Sequence, residues 1–207
     1  MGLTSEQVHW LYGAALIFVA AVLLLRAGDI VRRPWPDFLV GGALLVFGLA
    51  LVFDPWLHGE AAPGDYGAET AQHLLLGLAL LVASALELYR AASGRQAFAW
   101  RLPLILALIG ASLIFALHAQ HDAAAPMVLL VTQHRFIAAT LLVLALAVAL
   151  APTGGARLQN LATPLIVLLL GFQFLLYTEG NSLLGMPDHE ALAGGAMHDG
   201  AAGGSHP

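Results

Sequence analysis

Nine histidines stand beside eight arginines in a chain with no lysine and no cysteine, and they are the residues best able to carry chemistry. Imidazole is a versatile metal ligand and changes charge near neutral pH. The positions are His9, His58, His73, His118, His121, His134, His189, His198 and His206. Some are spaced to act together. Glu69 and His73 are separated by one helical turn, as are His118 and His121 in the run His-Ala-Gln-His-Asp, so each pair shares a helix face. Asp122 follows directly and offers either a ligand or an acceptor for an imidazole N–H. Without thiolate, the softest metal sites are excluded, and imidazole with carboxylate suits zinc, copper(II), nickel or iron.

The elements that must hold these residues are membrane spans. The 207-residue chain is 59% hydrophobic and 10% charged, with a mean hydropathy of +0.82. Soluble domains carry about 25% charged residues, so water is not the main solvent here. Six apolar stretches have the length a bilayer requires, roughly 20 residues each. They fall at about 8–25, 36–54, 70–89, 102–121, 127–151 and 161–179, the second being the shortest. The expected fold is therefore an all-α, six-helix transmembrane bundle over residues 1–179. Residues 180–207 read as a flexible Gly/Ala-rich tail carrying His and Met, too poor in apolar residues to bury a core. The first stretch lacks a basic leader and is followed by Arg26, so it is expected to be a span rather than a cleaved signal. Pro34, Pro36, Pro103, Pro126, Pro152 and Pro164 are expected near span ends. Gly41, Gly42, Gly48, Gly110 and Gly171 are expected to let helices approach closely.

Arginine placement sets the expected orientation. Seven of eight, all but Arg135, lie in the connections after spans 1, 3 and 5. The positive-inside rule makes that side cytoplasmic and puts both termini outside, as in a bacterial inner membrane. Trp10, Trp35, Trp56, Trp100 and Tyr177 stand near span ends, as an interfacial belt would. Every histidine then lands on the outer side. His73 is 17 residues from Arg90, His134 is 17 from Ala151 and His9 is 17 from Arg26. At 1.5 Å per residue each sits about 25 Å above the inner end of its span. His118 and Glu179 come to about 24 and 22 Å by the same arithmetic. Spans 3, 4, 5 and 6 each offer a ligand in one layer beneath the outer headgroups. Arg135 beside His134 would require an acidic partner at that depth, and Asp122 or Glu179 can provide it. His9 has no evident partner in its own neighbourhood.

A metal site at the outer face is the expectation this layer supports, with His73, His118, His121 and His134 as core ligands. Glu69, Asp122 and Glu179 are candidate carboxylate ligands or orienting partners. His189 and His198, with Met186 and Met197, can collect metal in the tail. Copper is the first choice and zinc the second; too few methionines exist for a thioether-lined conduit. The span interiors hold little beyond Ser84, Ser112, Thr140 and Gln173, so no ion path through the bilayer is expected. A b-type haem held by His73 with His134 or His118 is the main alternative, and a structural subunit without cofactor is another. There is neither a nucleophile–base triad nor a phosphate-cradling glycine loop, so binding is favoured over catalysis, and the lack of a polybasic patch excludes nucleic acid as a partner. Over spans 3 to 6, His73, the run at 118–122 and Gln-His-Arg at 133–135 resemble small membrane proteins of bacterial copper-resistance loci, the copper-resistance protein D family. That resemblance implies copper handling at the periplasmic face, with a periplasmic metal chaperone or redox protein as partner besides the lipid bilayer.

Overall fold

The computed structural model describes residues 4–53, 67–95, 97–117, 127–151 and 157–178. These form six α-helices: α1 Ser5–Ala27, α2 Leu39–Val52, α3 Ala68–Ser93, α4 Leu102–Ala116, α5 Met127–Leu150 and α6 Arg157–Leu175. Two short 3₁₀ turns, Trp35–Phe38 and Phe98–Trp100, lead into α2 and α4. Among the described residues, four segments are long and apolar enough to cross a membrane: Glu6–Ala27, Trp35–Val52, Thr70–Ser93 and Val128–Leu150. Leu102–Ala116 and Asn160–Leu175 are apolar but shorter. The chain is thus an all-helical, multi-pass membrane protein. Helix α2 has only 14 residues, about 21 Å; the preceding 3₁₀ turn lengthens it toward the roughly 30 Å of a hydrocarbon core.

Helix starts and stops follow from local chemistry. Thr4 caps α1 in a reciprocal box with Gln7, the Thr4 hydroxyl accepting from the Gln7 N–H at 3.2 Å and the Gln7 amide oxygen from the Thr4 N–H at 3.0 Å. Pro103 sits in the first turn of α4, where its missing N–H costs nothing. Gly94 ends α3 in the left-handed region, φ +65°, which suits a residue without Cβ. Pro164 departs from expectation: it lies inside α6, not at its end, and is buried. The helix continues through it although its ring removes one ladder donor.

Neighbouring helices run in alternating directions and close into a circuit. Helix α1 packs along α6, α2 along α3 and α4 along α5, while α5 also meets α6, α3 meets α4, and α1 touches α2 more lightly. Glycine sets the closest contacts. A Cβ on Gly13 would lie 2.6 Å from the Leu175 nitrogen and 2.7 Å from the Gly171 oxygen, so the α1 and α6 backbones nearly touch. Gly48 and Gly77 do the same for α2 and α3, and Gly41 faces Leu88. Gly42 and Gly110 meet nothing within 4 Å and make no such contact. The core between the helices is apolar, with Ile137, Leu141, Leu108, Leu80 and Phe174 among its members. Large apolar side chains such as Phe18, Leu75, Val82, Leu106 and Phe136 face outward, as lipid contact requires.

The few polar groups inside the bundle join helices. Ser84 donates to the Gly41 carbonyl at 2.7 Å and Ser112 to the Ala138 carbonyl at 2.8 Å. Gln173 donates to the Thr140 hydroxyl at 2.8 Å, which donates to Phe136 O within its own helix at 2.9 Å. Each bond satisfies a group that hydrocarbon would leave stranded.

Candidate functional site: a ring-lined histidine pair

At one end of the bundle lie the start of α1, the end of α4, the start of α5 and the end of α6. The capping box fixes the first turn of α1 and delivers His9 and Trp10 on the second. After α6, the Leu176 N–H still bonds Phe172 O at 2.9 Å, and the chain then leaves the helix. Three side chains pin it there. The Trp10 indole N–H donates to Tyr177 O at 2.9 Å, Thr178 Oγ1–H donates to Glu6 Oε1 at 2.9 Å, and the Thr178 N–H donates to Gln133 Oε1 at 3.3 Å. Helices α1 and α5 are thereby tied to the residues that follow α6.

That arrangement folds Tyr177 back over His9, with ring centroids 3.8 Å apart and planes 12° apart. Phe174 lies 5.7 Å from the same imidazole at 22°. His134 completes the group from α5. It is 5% exposed, its ring faces Phe115 at 5.6 Å and 27°, and its centroid is 6.5 Å from that of His9 with planes 88° apart. Nδ1 of His134 lies 2.8 Å from Leu130 O. A carbonyl can only accept, so Nδ1 carries a proton directed at Leu130 O. Backbone orientation of one ring nitrogen is how imidazole ligands are usually held.

The structure brings together a different pair from the one the sequence emphasised. His134 is buried in the site, as expected, and its partner in ring contact is His9, which had none in its own stretch of sequence. His73 lies half-buried in the second turn of α3. Glu69 is in the same helix one turn earlier, with its side chain outside the described residues. Helix α4 closes at Ala116, and His118, His121 and Asp122 beyond it are outside the described residues. So are Glu179, which directly follows Thr178, and the tail candidates Met186, His189, Met197 and His198. Arg135 is exposed, and among the described residues no carboxylate forms an ion pair with it. Tyr177 corrects the expected interfacial belt: at 2% exposure it lies among helices, because its ring is held on His9. Among the described residues, no group of three or more histidine, aspartate and glutamate side chains is arranged to hold a metal ion.

No family model, curated protein or solved structure matches this chain. Its chemistry therefore has to be read from its own side chains. Two imidazoles, His134 buried and His9 half-buried, lie in one cluster of aromatic rings. Such a site can coordinate a cation through nitrogen or accept a hydrogen bond at Nε2.

Proposed function

We propose that this chain is a six-span bacterial inner-membrane protein, both termini periplasmic, that binds a transition metal at the periplasmic end of its bundle and serves metal handling or resistance. Copper is the first choice and zinc the second. The observation that carries the reading is His134: buried, its Nδ1–H donated to Leu130 O, and in ring contact with a second histidine. His73 and, beyond the described residues, His118, His121, Asp122 and Glu179 supply further donors of the same class at the same depth. The arginines of the connections after α1 and α3 support the orientation. The resemblance to copper-resistance membrane proteins supports copper, with a periplasmic chaperone or redox protein as the supplier or recipient.

Elemental analysis of protein purified from its native membrane, without a metal-affinity step, tests the reading. About one copper or zinc per chain is expected, lost when His118 and His134 are both replaced by alanine while insertion is retained. Undiminished metal in that double variant would remove these residues from the site. Iron with a Soret band would replace the metal site by a b-type haem held by the same histidines, and no metal after reconstitution would defeat the proposal.

A further inference from the structure

We infer that Arg135 binds the headgroup phosphate of an anionic phospholipid in the leaflet at the histidine end of the bundle. Its position on α5 points there first. Val128, Thr132, Arg135, Ala139, Leu142 and Leu146 are all exposed, and they recur every three or four residues, so they form one stripe. The opposite face, with Leu130, Ile137, Leu141 and Leu144, is buried in the bundle. Arg135 therefore stands on an outward-facing surface, inside the apolar span Val128–Leu150. Helix α5 has 24 residues, about 36 Å, against roughly 30 Å of hydrocarbon. Arg135 is eight residues in from Met127. With the helix centred in the bilayer, its Cα lies about 9 Å beneath the hydrocarbon edge.

Charge points the same way. Arginine keeps its proton in proteins, and a cation at membrane depth has to reach an opposite charge or the interface. Among the described residues no carboxylate pairs with Arg135: Asp37 is with Arg26 and Glu87 with Arg90, and Glu6 accepts from Thr178. One turn to either side on α5 stand Val131, Thr132, Ala138 and Ala139, none of them acidic. The Thr132 hydroxyl donates to Val128 O at 2.6 Å. The counter-charge available to this outward face is the lipid's own. The aliphatic stem of an arginine can lie along apolar surface while its guanidinium rises toward the headgroups, and Thr132, one turn nearer them, is the other polar member of the stripe. The planar fork of N–H donors fits two phosphate oxygens at once. A phosphate whose charge is not offset by choline or ammonium best answers a single positive charge, which selects an anionic headgroup.

The chain has no cysteine, so Ala139→Cys, one turn along the same stripe, carries a single fluorophore that reports on this surface alone. The labelled full-length protein is reconstituted in phosphatidylcholine vesicles containing a minority of phosphatidylglycerol with brominated acyl chains, which quench on contact. Brominated phosphatidylcholine is the comparison. Phosphatidylglycerol should bind roughly ten-fold more tightly than phosphatidylcholine, the size of one charge-assisted contact. Arg135→Leu should abolish that preference and still insert, since it makes the stripe more apolar. Arg135→Lys should keep part of it, having the charge without the fork. No preference in the labelled protein with Arg135 intact, or full preference in Arg135→Leu, overturns the inference. Loss of the preference in inorganic phosphate at matched ionic strength would assign the site to a free anion instead. A preference that rises in Asp122→Asn or Glu179→Gln would show Arg135 already held by that acid. A dimer lost in Arg135→Leu would give the face to a second copy. Each of these three also overturns the lipid site, and none depends on metal content, so the metal reading stands or falls separately.

Discussion

The two ends of the bundle are held together by different chemistry. At the arginine end the contacts are ionic or cationic. Arg26 pairs with Asp37 at 2.9 Å and Arg90 with Glu87 at 2.8 Å. The Arg95 guanidinium lies 4.7 Å above the Trp100 ring, and Arg101 donates to the Ala151 carbonyl. At the histidine end the contacts are stacked rings and bonds to backbone or amide groups, with a charge-assisted bond from the Thr178 hydroxyl to Glu6. Arginine is always charged and must be neutralised or reach the headgroups. Imidazole can stay neutral and buried, available to a ligand. One end is held chiefly by charge, the other chiefly by stacked rings and hydrogen bonds to backbone and amide groups.

Four substitutions and one control test that division. Gly13→Ala should have the largest effect, because its methyl would meet the backbone of α6 at 2.6 Å. We expect a loss of about 3 kcal/mol in thermal unfolding in detergent, with metal binding falling too, since α1 carries His9. Gly110→Ala, with nothing within 4 Å, is the control and should be neutral. Glu87→Ala comes next: it strands Arg90 beside a site where Glu87 is 2% exposed. A loss of roughly 2–3 kcal/mol is expected, below the range for fully buried pairs because Arg90 reaches solvent. Metal affinity measured at the far end should not change, and a parallel fall would break the division. Trp10→Phe removes the bond to Tyr177 O and should cost about 1 kcal/mol in thermal unfolding, as Tyr177 loosens over His9. Arg26→Ala should cost under about 1 kcal/mol, because both partners of its ion pair are partly exposed. That loss should shrink further in high salt.

Much of this division was legible in the sequence, and the failures share a cause. The spans, the one-sided arginines and the common depth of His9 and His134 follow from composition and helical rise. Gly41, Gly48 and Gly171 are legible as close-packing positions, and Gln173 as one of the few polar groups inside the spans. What escaped was lateral. Depth along a helix is a local property, but which faces meet is set by how six helices arrange around one another. His9 meets a ring 125 positions away on α5 and another 168 positions away after α6. Nothing local in the sequence separates Gly13 and Gly77, which meet opposing backbones, from Gly42 and Gly110, which meet nothing within 4 Å. Tyr177 had the composition and position of a lipid-facing aromatic, and only the turn after α6 directs it inward. Pro164 was expected at a helix start because proline usually marks one; packing carries α6 through it.

The packing of α1 against α6 imposes an order on biosynthesis. Helix α1 is made early, yet its main contact surface is on the last of the six helices. While the chain is still emerging, α1 must wait in lipid or beside the insertion machinery, its glycine face unmatched. Helices α2 and α3, and likewise α4 and α5, can each zip together soon after they are made. Joining α1 to α6 is then the final step, and the same event seats Tyr177 on His9 and pins Thr178 to Glu6. The stacking of Tyr177 on His9 therefore cannot form in a nascent or truncated chain before α6 is in place.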